Sequence, residues 1–531
     1  MSRNMTEAST HGPEISSIRE ELSHLDSITN DIAWKRAALL QRLDSLQSRT
    51  RALPPEILSL IFQYYVAAAT CINRELVLSP FGHQSGYRQR NGPFPPMFLG
   101  SISHRWREIA WSTPQLWTSL SFYASSANAD SLAAMLGLYL TNLSGATLAL
   151  GITFEDRYSS LSWETDPIAL ILFQRENRRK IQALLLTLIP LYWLDRMNHL
   201  PKLRWVQLSG CMMEHPVLLS ETFLAHSPAL YLLRLDGFVA PASTWSSVTD
   251  LRLENIRVAD ALQHLINMPH IVRFSYTIGG LYAPGRLRGD EDLEAEMLLA
   301  TFPDTLSLPL LEHLHWPFKE NASSTLFLNR VRLPRLRRLI WDQRDRPLVS
   351  DWSGAIWTFF KNLSTASLTS IHLYALPSDL ESSLLELIYQ GNPRIEEITL
   401  DSCSETAVLT ILASLTPNLD LENTMGVVGG YYLPELKEVA VDEFTGNDQA
   451  LYTWEHLPEY FGDIIADMVD IRMQANPGST FIIKLDFGIT VDMTWSEDAK
   501  AKFSALQRTG REVTVLKDGE KVDWLKMNCI E

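Results

Sequence analysis

Residues 228–235 read Pro-Ala-Leu-Tyr-Leu-Leu-Arg-Leu. Leu230, Leu233 and Leu235 give a core of apolar, two residues, apolar, one residue, apolar. The last two positions alternate with period two, which puts both on one face of a strand. The same core recurs at Ile181-Leu184-Leu186, Leu203-Val206-Leu208, Val248-Leu251-Leu253, Ile271-Phe274-Tyr276 and Leu311-Leu314-Trp316. It continues at Leu336-Leu339-Trp341, Leu368-Ile371-Leu373, Ile395-Ile398-Leu400 and Leu436-Val439-Val441. Successive starts lie 18 to 41 residues apart, and the shorter intervals match a repeat unit of about 20–29 residues. Proline stands two residues before the first apolar position in seven units, at 201, 228, 269, 309, 334, 393 and 434. Proline cannot continue a helix and biases its predecessor toward extended geometry, so it marks the passage from helix to strand.

Helical stretches fill the gaps: Ile168–Phe173, Ala261–Ile266, Ser383–Ile388 and Ala407–Leu415. Each unit then reads strand, turn, helix, and such units stack into a parallel sheet bent into a solenoid. A doubly wound α/β domain also alternates strand and helix; the fixed proline offset and shared strand core favour the solenoid. The array resembles the leucine-rich-repeat family of the irregular, helix-containing kind. The asparagine that usually follows the strand is mostly absent, with Asn255 a near match. The two long intervals, 271 to 311 and 395 to 436, read as inserted loops; one holds Gly279, Gly280, Gly285, Gly289 and the acidic run Asp290-Glu291-Asp292. Beyond residue 441, a helix at Tyr460–Met473, a strand at Phe481–Phe487, a helix at Asp498–Leu506 and a strand at Glu512–Leu516 read as a cap for the open end. Residues 121–180 supply the first units, with a strand at Leu148–Phe154.

Ahead of the array, residues 53–62 read LPPEILSLIF and residues 101–117 read SISHRWREIAWSTPQLW. Pro54 and Pro55 suit the first turn of a helix, where a missing N–H costs nothing. Ile57, Leu58, Ile61 and Phe62 then share a helical face, and Ile102, Trp106, Ile109 and Ala110 repeat the stripe. Thr113-Pro114 stops one helix and opens another, with Thr113 as cap and Leu116-Trp117 following. This split pair resembles an F-box, the three-helix motif that docks on a Skp-type adaptor carried by a cullin ubiquitin ligase. The resemblance covers residues 53–120, with an insertion at 67–97 that carries Gly82, Gly86, Gly92, Pro93, Pro95 and Pro96 and reads as loop. Ser103 and His104 stand where the family often has a cysteine and a basic residue. The resemblance implies that Leu53, Pro54, Glu56, Ile57, Leu58, Ile61, Phe62, Trp106, Ile109, Leu116 and Trp117 hold the adaptor, and Arg107 also matches the family pattern.

Residues 14–52 read as one long helix after a disordered tail at 1–13. Ile15, Ile18, Leu22, Leu25, Ile32, Leu39, Leu43, Leu46 and Leu53 step as a and d positions of a heptad, with Thr29, Arg36 and Thr50 on the same seam. Two readings follow: a coiled coil that pairs two copies or takes a partner helix, or a helix that packs on the F-box or stands alone. The expected organisation is therefore α/β: a helical N-terminus, comprising the long helix (14–52) and the three-helix motif (53–120), followed by a leucine-rich-repeat-like solenoid with a parallel curved sheet (121–531).

The chain has 531 residues, 46 Lys and Arg, 62 Asp and Glu, and a formal charge of −16. Residues 1–120 hold 12 basic and 10 acidic residues, which leaves 34 and 52 for the remainder. An acidic body argues against general nucleic-acid affinity. Arg175, Arg178, Arg179 and Lys180 form one basic cluster, read as the solvated end of a helix. No apolar run reaches the ~20 residues of a membrane span; Ile181 to Leu194 is the nearest and is interrupted by Pro190. The polar N-terminus does not read as a secretory signal. Cys71, Cys211, Cys403 and Cys529 are widely spaced, with no CxxC, which suits reduced thiols in cytosol or nucleus.

Alternation along the strands predicts an exposed row on the concave face. The candidates for holding a protein target are Trp205, Arg234, Asp250, Arg252, Arg273, His313, His315, Arg338, His372 and Tyr374, a set with the Arg and aromatic side chains that dominate protein interfaces. Gln207, Asp236, Glu254, Glu397 and Asp401 fall in the same rows. His313 and His315 share a face, yet no further ligand is placed beside them, so no metal and no cofactor is expected. No Gly-x-Ser-x-Gly elbow, phosphate-binding loop or HExxH occurs, and the glycine run from Gly426 to Gly430 opens no helix. The expectation is a non-catalytic subunit: a substrate receptor of a cullin-type ubiquitin ligase, cytoplasmic or nuclear. The alternatives are an interaction scaffold with no ubiquitin role and, third, a hydrolase on an α/β fold.

Overall fold

The computed structural model describes residues 12–47, 49–69, 94–155, 158, 162, 164–210, 216–239, 245–277, 302–317, 322–343, 353–363, 368–376, 394–415, 433–442, 459–475, 481–486, 496–508, 513–517 and 520–521. Residues 1–11 of the expected tail at 1–13, most of the insertion, the helix Ser383–Ile388, the glycine-rich and acidic loop and Gly426 to Gly430 lie outside these residues, while Gly12 and Pro13 of that tail open the long helix. The chain is α/β, with a long N-terminal helix and a large parallel sheet. It divides into two compact units, Met1–Leu184 and Leu185–Glu531.

The first unit opens with the helix Gly12–Gln47, then a 3-10 turn at Arg49–Ala52 and a helix at Pro55–Ala69. The long helix therefore ends five residues short of the expected 52. Helices Pro95–Ile102 and His104–Trp111 follow, then a 3-10 turn at Pro114–Trp117. The insertion is shorter than read: Ala67–Ala69 continue the preceding helix, and Pro95 and Pro96 open the next one instead of a loop. Both prolines fall in the first turn, where the lost N–H has no partner to lose. Ser103, extended at φ −155°, breaks the expected single stripe into two helices, and its hydroxyl accepts the Trp106 amide at 3.2 Å.

A strand at Ser119–Ala124, a helix at Ala129–Asn142 and a strand at Leu148–Phe154 come next, the two strands being parallel neighbours. Trp117, fully buried, joins this layer to the helical motif. Its ring meets Tyr139 edge-on at 4.9 Å and Trp111 at 5.0 Å, and its Nε1 donates to the Ala110 carbonyl at 2.9 Å. Burial raises the Tyr139 phenol above its ordinary range. Asp166, also fully buried, caps the helix Pro167–Leu172 by accepting the Ile168 and Ala169 amides, and takes a third bond from Tyr158 at 2.7 Å. Three donors stabilise a carboxylate in the interior.

In the second unit the strands Trp205–Ser209, Leu232–Asp236, Asp250–Glu254, Arg273–Thr277, His313–Pro317, Arg338–Asp342, Ser370–Tyr374, Glu397–Asp401, Glu438–Asp442, Phe481–Asp486 and Val513–Lys517 pair in chain order, all parallel. A short antiparallel return at Glu520–Lys521 follows the last of them. The register aligns the repeat core: Val206, Leu233, Leu251, Phe274, Leu314, Leu339, Ile371, Ile398 and Val439 form one buried row.

The proline has a sharper role than ending a helix. Leu203, Leu230, Ile271, Leu311, Leu336 and Leu436 each donate their amide to the carbonyl three residues back, at 3.0 to 3.3 Å. Pro201, Pro228, Pro269, Pro309, Pro334 and Pro434 thus occupy the second position of a β-turn, which favours their fixed φ. At the other end of the strands, Gly237, Asn255, Ala375 and Ser402 adopt φ of 52° to 73° and redirect the chain. Asn255 is the residue type best suited to that geometry after glycine. Helices Val258–Asn267, Ala322–Arg330, Ser353–Asn362, Glu405–Ser414, Glu459–Ala475 and Glu497–Arg508 connect strands. The buried Arg472 donates to the Leu415 and Leu433 carbonyls at 3.0 and 2.9 Å.

Candidate functional site

The two halves of the split motif close on one another. Phe62 and Trp106 bring their ring centroids to 4.8 Å, and Ser59 shares a 3.0 Å hydrogen bond with Thr113. Thr113 occupies the position expected of a cap, but its hydroxyl donates to the Ile109 carbonyl at 2.7 Å and makes no cap bond. Arg105 reaches across to the turn before the first helix, donating to the Thr50 carbonyl at 3.0 Å and the Leu53 carbonyl at 2.5 Å. Trp106 Nε1 adds a bond to the Thr50 hydroxyl at 3.3 Å. Leu53 and Pro54 are therefore held in place by residues of the second half. Gly100 lets its helix pack on the next one, since a Cβ there would overlap the Trp111 ring.

The expected adaptor residues separate into two sets. Leu58, Phe62, Ile109, Leu116 and Trp117 are buried, with Val66 beside them. These five form the motif's own core and present no surface, a correction to the reading that places them all on the adaptor. Trp106 and Leu53 are half-buried, while Pro54, Glu56, Ile57 and Ile61 are exposed. The physical reason lies in the helix Pro55–Ala69, which is apolar on two faces. Leu58, Phe62 and Val66 recur every four residues and turn inward; Ile57, Ile61 and Tyr65 recur in the same way and turn outward.

The outward stripe continues on a neighbouring helix. Ile57, Leu60, Ile61, Tyr65, Met97, Phe98 and Ile102 keep 39% to 50% of their surface, and the Tyr65 and Phe98 rings lie 6.3 Å apart. Exposed apolar patches of this kind are common at contact sites of soluble proteins. Met97 ends the stretch read from sequence as a loop and Phe98 follows it directly; a proline pair followed by an apolar run was the signal that could have found them.

The sheet face opposite the apolar core carries the second candidate set. Arg273 is exposed, and Trp205, Arg234, Arg252, His313 and Arg338 are half-buried. Asp250, His315, His372 and Tyr374 are buried, which corrects their assignment to an open row. Parallel strands lie about 4.8 Å apart, so side chains of one row cover one another. Pairing completes this: Arg234 meets Glu254 at 2.6 Å, Asp250 takes Arg252 at 3.4 Å and Arg273 at 3.7 Å, His315 meets Asp342 at 3.5 Å, and His372 meets Asp401 at 3.3 Å. Ser275 bonds His315 Nδ1 at 2.9 Å, and Asn255 bonds Asp236 at 2.6 Å.

Burial raises the Glu254 carboxyl despite the opposing pull of Arg234, and burial together with the Arg273 and Arg338 charges lowers His313. This face is a ladder of paired side chains with Arg273 exposed and Trp205, Arg234, Arg252, His313 and Arg338 half-buried. Among the described residues no group of three or more His, Cys, Asp or Glu is placed to hold a metal, and no helix is long and apolar enough to cross a membrane. Cys403 is buried, and its thiol is pushed up to about 12 by desolvation, which leaves it protonated and unreactive.

No family model matches this chain, and no curated protein sequence matches it.

Proposed function

We propose that this chain is an F-box-type receptor subunit of a cullin ubiquitin ligase. The observation that carries the reading is the outward stripe: the split motif closes through Phe62 and Trp106, yet leaves Ile57, Ile61, Tyr65 and Phe98 uncovered on one surface. Leu53 and Pro54 stand at its head, pinned by Arg105. That surface takes a Skp-type adaptor. In-order parallel pairing of short strands, six of them preceded by the same proline turn, supports reading the second unit as a leucine-rich-repeat-like solenoid. The solenoid holds a protein target, with Arg273, Trp205 and Arg338 as its accessible contacts.

The mechanism is proximity. A receptor that holds adaptor and target at once raises the target's effective concentration beside a ubiquitin-loaded enzyme, and makes no bond itself. The test is co-purification of the full chain with a Skp-type adaptor, comparing wild type with Leu53→Ala/Pro54→Ala. The reading expects capture by wild type and loss in the double variant at unchanged melting temperature. Equal capture of both removes these residues from the docking surface.

A further inference from the structure

The helix Gly12–Gln47 is 36 residues long, about 54 Å at 1.5 Å per residue. Every side chain described from Glu14 to Leu43 is exposed. Ile15, Ile18, Leu22, Leu25, Ile32 and Leu39 keep 49% to 68% of their surface, so no described residue covers this stripe. A lone helix carrying such a stripe is marginal in water and is stabilised by packing its apolar face.

What covers the stripe follows from the charges beside it. In heptad terms a is Ile15, Leu22, Thr29, Arg36 and Leu43, and d is Ile18, Leu25, Ile32 and Leu39. The edge preceding each a position reads Glu14, Glu21, Ile28, Lys35, Arg42. It is acidic at one end, basic at the other, and apolar in the middle. A second copy turned end for end about Ile28 sets Glu14 against Arg42 and Glu21 against Lys35, each pair occurring twice, with Ile28 on Ile28 at the axis. The same register brings Ile15 onto Leu39, Leu22 onto Ile32 and Leu25 onto Thr29. Thr29 suits that layer, because its hydroxyl already donates to the Leu25 carbonyl of its own helix at 2.8 Å. Arg36 faces Ile18, where its stem lies on apolar surface and its head reaches the rim. The opposite edge carries one like-charge contact, Asp26 on Asp26.

The parallel pairing is worse on both counts. It stacks Arg36 on Arg36 in the seam and sets Glu21 against Asp26. We infer that the N-terminal helix joins two copies of this chain as an antiparallel coiled coil centred on Ile28. The inference does not depend on the adaptor reading above.

Sedimentation of the full chain across micromolar concentrations tests it, with Glu21→Lys as the discriminating variant. The antiparallel dimer predicts that Glu21→Lys raises the dissociation constant on the order of tenfold by placing two lysines against Lys35. Adding Lys35→Glu restores it. In a parallel dimer the introduced lysine attracts Asp26 and binding tightens instead, which overturns the arrangement, and a wild-type chain that stays monomeric overturns the pairing itself. Both positions are exposed, so neither change threatens folding. As a second readout, an equimolar mixture of Leu22→Cys and Ile32→Cys chains is oxidised and the linked peptides identified by mass. Cross-links between position 22 and position 32 support the register; 22 to 22 and 32 to 32 links contradict it.

Discussion

Phe62 and Trp106 meet with ring centroids 4.8 Å apart, one supplied by each half of a motif that the sequence splits. Phe62 is fully buried and Ile61, one residue earlier, is exposed. The pair therefore separates what holds the motif together from what it leaves exposed. Phe62→Ala removes a core aromatic and is expected to cost about 3–5 kcal/mol. Ile61→Ala is expected to leave stability within about 0.5 kcal/mol and to weaken adaptor binding. Denaturant melts beside adaptor titrations of the two variants check this, and equal stability losses would contradict the division.

Arg105 bridges the Thr50 and Leu53 carbonyls with two separate nitrogens. A lysine carries one nitrogen and reaches one carbonyl. Arg105→Lys is expected to loosen the turn before the first helix by about 1–2 kcal/mol, in the range of a single charge-assisted bond. Hydrogen exchange at the Leu53 amide, which bonds the Thr50 carbonyl at 3.1 Å, reads the change directly. Adaptor affinity falls with it, because Leu53 and Pro54 lose their fixed pose.

His264 stacks on Trp245 at 6.1 Å and an interplanar angle of 11°, buried within the helix Val258–Asn267. Desolvation lowers its pKa to about 4, with Asp260 opposing. The unfolded chain, with an ordinary histidine near 6.5, binds a proton that the folded state refuses. Stability is therefore full above pH 6.5 and falls as pH drops toward 4. The expected loss over that window is about 3 kcal/mol. His264→Phe keeps the stacked ring and removes the titration. Urea melts at pH 7 and pH 4.5 should show a smaller pH-dependent loss for the variant; identical losses would place the titrating group elsewhere.

The strands were legible because their signal is local and repeated. Leu230, Leu233 and Leu235 state the pattern once, and the register aligns the same positions strand after strand. The predicted strand at Leu148–Phe154 and the helices near Ile168, Ala261 and Ala407 appear within three residues of their expected bounds. Alternation assigned Asp250, His315, His372 and Tyr374 to the correct face of the sheet. It could not reveal that neighbours on that face bury them, because cross-strand pairs such as His372 with Asp401 join distant stretches of sequence. The helix Pro55–Ala69 failed differently. Ile57, Leu58, Ile61 and Phe62 are all apolar, and periodicity cannot tell which of two adjacent stripes turns inward. Only Trp106 and Thr113, arriving from the second half, decide it. The buried Asp166 cap, with its bond from Tyr158, was missed although Asp-Pro ahead of an apolar run is a helix-start signal.

The most direct measurement is the calorimetric titration of a purified Skp-type adaptor into the full chain and into Ile57→Asp/Ile61→Asp. Both positions are exposed, so the variant should match wild type in circular dichroism and melting temperature. The account predicts saturable binding by wild type and none by the variant, since two carboxylates would be buried against an apolar partner. A wild-type chain that gives no heat of binding, or a variant that binds as tightly as wild type, would contradict it.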